Sequence, residues 1–256
     1  MRVKDVQRGV LLTGCLVLSL FGCSGGGGSN DDACLALKIA GGQECSTPPP
    51  AVAVVATKSG YCSGTFITNR DVLTAAHCMP SPGEELAVVI GGFSARTTRA
   101  RIHPLFSSIG FSPYDVAVVT IGEDAPVTPV PINASVDVKE GDTVVLYGFG
   151  LDQNGRDVVD RVKKGGEALK ATFLDVDKVS SDSIDTMSAG GDSCSGDSGG
   201  PLLFKGSNGQ YGVVAVVRAG PNFCKADSGF ASDNTNLQFD EVREFVLRAA
   251  PRAQVN

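Results

Sequence analysis

Only 2 of the 256 residues are histidine and none is tryptophan. So small a supply of imidazole excludes a histidine-rich metal centre. The 8 cysteines stand as scattered singles with no CxxC pair, the spacing that structural zinc sites favour. An excess of positive charge is missing too: 22 Lys and Arg against 28 Asp and Glu leave a formal charge of -6, no polycation to displace counterions from a nucleic acid backbone. The most apolar stretch, residues 10–22, is shorter than the ~20 residues a membrane-spanning helix requires. What is present, 42% hydrophobic and 20% charged residues with 32 glycines, is the composition of a folded protein. The cysteines then read as disulfides of an oxidising compartment, and neither a metal nor an organic cofactor is expected.

The N-terminus names that compartment. Arg2, Lys4 and Arg8 precede the apolar residues 10–22, the charged and hydrophobic parts of an export signal occupying residues 1–22. It ends Leu20-Phe21-Gly22-Cys23, which resembles the lipobox of bacterial lipoproteins and implies lipidation of Cys23 and anchorage in the cell envelope. Leu12-Thr13-Gly14-Cys15 also fits, but would strand the apolar residues 16–21 in the mature chain. The glycine-rich residues 24–32 follow as a polar tether, within a segment 23–38 that precedes the folded domain 39–256.

Beyond residue 50 the chain is a series of short β-branched and aliphatic runs, at 51–57, 64–68, 86–90, 115–121, 143–149, 168–176, 201–204 and 211–217, separated by Gly, Pro, Asn and Asp. Helical spacing occurs once, at 240–250, with Val242, Phe245, Val246 and Ala249 on one face. An all-β domain of this length is too large for one small sandwich, so two packed barrels sharing a cleft and a C-terminal helix are expected.

Three segments carry chemistry. Leu73-Thr74-Ala75-Ala76-His77-Cys78 sets a histidine at the end of an apolar run, and Asp115 opens the run at 115–121; alone, each reads as an ordinary structural residue. Gly196-Asp197-Ser198-Gly199-Gly200-Pro201 differs, because a serine among glycines sits where backbone amides can crowd an oxyanion. In the order His77, Asp115, Ser198, the three resemble the chymotrypsin and trypsin family of serine proteases, in which this constellation is the general template for hydroxyl attack on a carbonyl.

The resemblance implies two antiparallel six-stranded barrels, with Ser198 as nucleophile, His77 as general base and Asp115 as its orienting carboxylate. It further implies an oxyanion hole from the amides of Gly196 and Ser198, and disulfides Cys62–Cys78 and Cys194–Cys224. The partners implied are protein or peptide substrates, proteinaceous inhibitors and, through the lipid, a membrane. Tyr147-Gly148-Phe149-Gly150 occupies the family's Gly-Trp-Gly place, and His103 the segment before the aspartate strand. Asp192, six residues before Ser198, resembles the carboxylate at the base of a trypsin pocket and implies cleavage after Arg or Lys. Two alternatives stand beside it: Arg218 satisfies Asp192 internally, or Val217, where a pocket-wall glycine is usual, narrows the entrance and favours small apolar residues.

Lys38-Ile39-Ala40-Gly41-Gly42 resembles the family's activation site, where cutting after Lys38 frees the Ile39 ammonium to pair with Asp197. Setting aside Cys15 and Cys23, the remaining Cys34 and Cys45 are expected to bridge across that cut, so that the activated enzyme stays tethered; pairing of Cys34 with another protein is the simpler alternative. A protease fold kept as a binding module is a rival from another class, although no triad residue is lost here. An α/β-hydrolase esterase is excluded by the order of its triad, Ser, Asp, His, and by the missing alternation of strands and helices.

Overall fold

Alternate residues of β1 (Val52–Ala56) face two different apolar surroundings, which is why the strand reads as an unbroken apolar run. Val55, with the flanking Ala51 and Ala53, packs inward against Phe66, Val72, Val88 and Val119. Val52 and Val54 face outward into a second cluster shared with Val145, Tyr147, Leu203 and Val216. The first set is the interior of one barrel and the second is the seam between two. A computed structural model describes residues 51–58, 60–81, 84–110, 112–151, 161, 162, 164, 169–188, 193–220 and 232–256. Cys23, Cys34, Lys38, Ile39, Cys45, Asp192 and Cys224 lie outside these described residues.

The first barrel is antiparallel and closes in the order β1, β2 (Tyr61–Phe66), β3 (Asp71–Thr74), β6 (Ala117–Ile121), β5 (Phe93–Ile102), β4 (Ala87–Ile90). The second closes as β10 (Pro201–Lys205), β11 (Tyr211–Ala219), β12 (Ser232–Asn236), β9 (Ser183–Ser188), β8 (Lys170–Val179), β7 (Thr143–Gly148). Its interior holds Val144, Leu146, Leu174, Ile184, Leu202, Val214 and Val217. Closure leaves no sheet edge open, so every strand is paired on both sides. The fold is chymotrypsin-like, with six strands in each barrel as expected.

Each apolar run of the sequence falls in a strand. The strands it did not announce are β3, β5, β9 and β12, and the reason differs. Most of β5 is exposed and rich in Arg and Thr. In contrast β12, Ser-Asp-Asn-Thr-Asn, is largely buried, and its amide nitrogens are engaged: Asn234 Nδ2 donates to Ile184 O at 2.7 Å and Asn236 Nδ2 to Ser180 O at 2.8 Å. A strand stabilised by buried hydrogen bonds carries no apolar signature.

The helix α1 (Asp240–Ala249) buries Val242, Phe245, Val246 and Ala249, the four residues its spacing picked out. This face joins the seam cluster and also reaches the segment before β6, because Phe245 meets the His103 ring edge-on at 4.7 Å between centroids.

Candidate active site

β3 delivers the chain into a 3₁₀ turn, Ala76–Cys78, and Cys78 is bonded to Cys62 of β2, the expected disulfide. Closing a loop of that length contributes about 3 kcal/mol and pins the residue between, His77. The carboxylate of Asp115, only 5% exposed, is engaged by His77 twice: the backbone N–H donates to Oδ1 at 2.8 Å and Nδ1 to Oδ2 at 2.6 Å. A carboxylate of this kind only accepts, so Nδ1 carries the proton and the Nε2 lone pair is free to take another. Asp115 is tied in turn to the second barrel by Thr235 Oγ1, which donates to its carbonyl at 3.2 Å.

Ser198 comes from the opposite barrel, in the turn before β10. The turn is pressed against the first barrel: Ser63 N–H donates to Ser198 O at 2.9 Å, and a side chain at Gly199 would meet Thr74 Oγ1 at 2.2 Å and Ser63 O at 2.3 Å. Gly199 also has φ +82°, so only glycine fits the contact. Gly199, next to Ser198, is thereby brought against the two residues, Thr74 and Ala75, that lead into the His77 turn. Among the described residues no hydrogen bond joins Ser198 Oγ to His77 Nε2, which lies 3.7 Å from Cys78 Sγ. Catalytic hydrogen bonds of this type are often long without substrate and tighten when it binds.

Gly196 has φ +97°, and neither its N–H nor that of Ser198 meets an acceptor among the described residues. Two unengaged amides separated by one residue form a receptor suited to an oxyanion. Between them Asp197 turns inward, fully buried, and accepts from Gly150 N–H at 2.8 Å and Cys194 N–H at 2.9 Å. The Gly-Phe-Gly motif is explained by this carboxylate, since a Cβ on Gly148 or Gly150 would fall 2.1 or 2.3 Å from its oxygens. Cys194 is disulfide-bonded. Cys62, His77 and Cys78 are close enough to suggest a metal site, but both sulfurs are in the disulfide and only the imidazole remains as a ligand.

The family profile described as Trypsin matches residues 39–237. The chain belongs to the trypsin family. This trypsin-family protein is 30% identical to brachyurin of Leptuca pugilator over 203 residues, covering 71% of the chain and 87% of brachyurin. It is 27% identical to a trypsin of Saccharopolyspora erythraea, over 69% of the chain and 86% of that protein. Against phenoloxidase-activating enzyme 1 of Spodoptera litura, also 27% identical, it spans about half the relative's length (53%). Its fold is similar to that of neuropsin, a serine protease expressed in mouse brain, at TM-score 0.65 and 18% identity, over 81% of the chain and 97% of neuropsin.

In this family member Val217, expected at the wall of the substrate pocket, stands on β11 beside the serine turn. Its side chain is 2% exposed and packs inside the second barrel, while its backbone exchanges hydrogen bonds with Gly199 and Gly200. The cause is a bulge: Ala215 pairs with Leu202 and Val213 with Leu203, so Val214 is an extra residue that shifts the alternation of β11. The residues of β11 that reach the cleft are Arg218 and Ala219. With Met79, Pro80, Ile102 and Phe106 they wall a cleft of about 440 Å³ beside His77 and Asp115.

Arg218, weighed in the sequence as an internal partner of Asp192, gives its guanidinium to Asp233, with Nε to Oδ2 at 3.0 Å and Nη2 to Oδ1, and gives Nη1 to Ser112 O at 2.7 Å. Burial pushes the Asp233 carboxyl up, and the guanidinium opposes that shift. The pair clamps the segment preceding Asp115 onto the second barrel.

The same segment is held from the other side by His103, buried and stacked on Tyr114 at 4.5 Å between centroids. Burial lowers the pKa of His103 below its usual 6.5, with the nearby Glu241 partly compensating. A histidine depressed in the folded state binds fewer protons there than in the unfolded chain. Its contribution to stability is therefore complete above pH 6.5 and is lost as pH falls through the lowered value. Replacing His103 by Phe is expected to remove that part of the acid sensitivity, read as a flatter plot of unfolding midpoint against pH below about 6.5. An unchanged slope would show that His103 is not its source.

Proposed function

We propose that this protein is a serine endopeptidase that cleaves peptide bonds through an acyl-Ser198 intermediate. The observation that carries the reading is the double hydrogen bond from His77 to Asp115, which leaves Nε2 unprotonated as a base, in a protein whose serine turn has two amides unengaged among the described residues. In this mechanism Ser198 Oγ attacks the scissile carbonyl while His77 takes its proton. The negative oxygen is received by the N–H groups of Gly196 and Ser198, each contributing about 3 kcal/mol to the transition state. The tetrahedral adduct collapses, His77 returns the proton to the leaving amine, and water repeats the sequence to release the acid. Asp115 holds the imidazole in one tautomer throughout.

Specificity for Arg or Lys rests on Asp192, whose charge in a pocket favours a cationic side chain. The internal competitor considered for that charge, Arg218, has its guanidinium taken up by Asp233 and Ser112, which supports the reading. Asp197 supports the activation scheme: its buried carboxylate, held by two amides, is a site where the Ile39 ammonium would be stabilised once the chain is cut after Lys38.

Ser198→Ala is expected to abolish hydrolysis of a peptide substrate and labelling by a serine-reactive phosphonate, while the unfolding midpoint changes little. Turnover surviving the change would remove Ser198 from the reaction, and a wild-type protein that neither cleaves nor labels would identify the fold as a binding module. In peptide-library profiling, kcat/KM after Arg or Lys should exceed that after Ala or Val by about tenfold or more, a gap worth roughly 1.4 kcal/mol. Asp192→Asn should shrink the ratio; faster cleavage after Ala or Val in the parent protein would refute the basic preference. Lys38→Gln should leave the chain uncut and nearly inactive, as gel mobility and active-site titration would report. Full activity in an uncut chain would defeat the zymogen reading.

A further inference from the structure

Ser63 stands on β2 directly after Cys62, with its side chain completely buried. Two of its groups make three hydrogen bonds to the serine turn and the motif beside it. Its N–H donates to Ser198 O at 2.9 Å, its Oγ donates to Gly196 O at 2.8 Å, and the same Oγ accepts Phe149 N–H at 2.9 Å. The roles are unambiguous, because an amide nitrogen here only donates and a carbonyl only accepts, so the single hydroxyl proton goes to Gly196. Its own carbonyl receives Thr74 Oγ1 at 2.8 Å, which fixes Ser63 to the strand leading to His77.

One residue of the first barrel therefore holds the carbonyls of both Gly196 and Ser198, the two residues whose amides are left open. Gly196 needs such a hold. With φ +97° and no side chain it can rotate its N–H away from the cleft at little steric cost, and the hole would lose a donor. The ring of Tyr61 closes the other side, since a Cβ on Gly196 would lie 2.6 Å from Tyr61 Cε2. We propose that Ser63 is a positioning residue for the oxyanion hole, its hydroxyl locking Gly196 in the conformation that presents its N–H to the developing negative charge. The inference rests on the hydrolase reading of Ser198. It concerns stabilisation of the transition state and not the binding of substrate, so it affects kcat and leaves KM nearly alone.

The test compares the full chain in its active form with Ser63→Ala, Ser63→Cys, Ser63→Thr and Thr65→Val. Thr65 supplies a control, being another buried hydroxyl of β2, with Oγ1 unpartnered among the described residues and no contact to the turn. Two quantities are read: kcat and KM on a chromogenic peptide, and the pKa of the hemiketal formed with a peptidyl trifluoromethyl ketone, followed by ¹⁹F NMR. In that adduct Ser198 Oγ bonds to the ketone carbon, the serine proton passes to His77, and the former carbonyl oxygen occupies the hole. Ser63→Ala should lower kcat by about 10–100-fold, within the range for loss of one oxyanion donor, with KM changed less than about twofold. The hemiketal pKa should rise by about one unit or more. Ser63→Thr, which keeps the hydroxyl, should recover most of both effects, and Thr65→Val should match the parent in both. If the alanine protein does not fold, Ser63→Cys, a weaker donor, should move both readings in the same direction by less. Unchanged kcat and hemiketal pKa on losing the hydroxyl, or an equal loss in Thr65→Val, would overturn the inference. If the parent protein forms no hemiketal, the hydrolase reading falls and takes the inference with it; if it does and Ser63→Ala is indistinguishable, only the role of Ser63 falls.

Discussion

The turn carrying Ser198 lies so close to β2 and β3 that a single added carbon atom at Gly199 would overlap Thr74 Oγ1 and the carbonyl of Ser63. That contact sets the relative position of the two barrels at the one place where it matters chemically. Ser198 belongs to one barrel and His77 with Asp115 to the other. Neither half holds a triad alone. A displacement of an ångström between them would cost most of the effective molarity that such a site depends on. The seam is therefore tight in backbone and sparing in side chain, with glycines where the turn meets the first barrel and apolar residues such as Val54, Val145 and Tyr147 filling the remainder.

Buried polar groups do the fine positioning, and three charged side chains around the site are paired. Both oxygens of Asp115 are bound by His77, both oxygens of Asp197 by backbone amides, and Arg218 is shared between Asp233 and a carbonyl. In a low-dielectric interior an unpaired member of such a set would be costly, and a satisfied set admits few alternative arrangements. The disulfide Cys62–Cys78 adds a covalent constraint at the same spot, joining the strand that carries Ser63 to the turn that carries His77. Rigidity is thus concentrated where the reacting groups must keep their geometry.

Motif and apolar pattern carried the sequence reading a long way: the His77–Asp115 pair, the Cys62–Cys78 disulfide, the C-terminal helix and an all-β domain with two barrels follow from short strings of residues whose chemistry admits few other uses. Each of these is local, or is a list of separate local signals. What failed was whatever depended on register or on partners distant in the chain. The inward packing of the Val217 side chain was not legible, because one extra residue in β11 shifts the alternation of its side chains, and a bulge leaves no mark on composition. β12 went unseen because its buried face is polar and is satisfied by groups some 50 residues away, such as Ile184 O. Ser63 looked like any small residue after a cysteine; only the packing of one barrel on the other gave its hydroxyl a carbonyl and an amide to join. The identities of Ser198, His77 and Asp115 were determined by the sequence itself, since a hydroxyl, an imidazole and a carboxylate are side-chain properties. Their orientation was decided by the tertiary structure, because hydrogen bonds between segments more than 80 residues apart, such as Ser63 to Gly196, exist only once both barrels have closed and met.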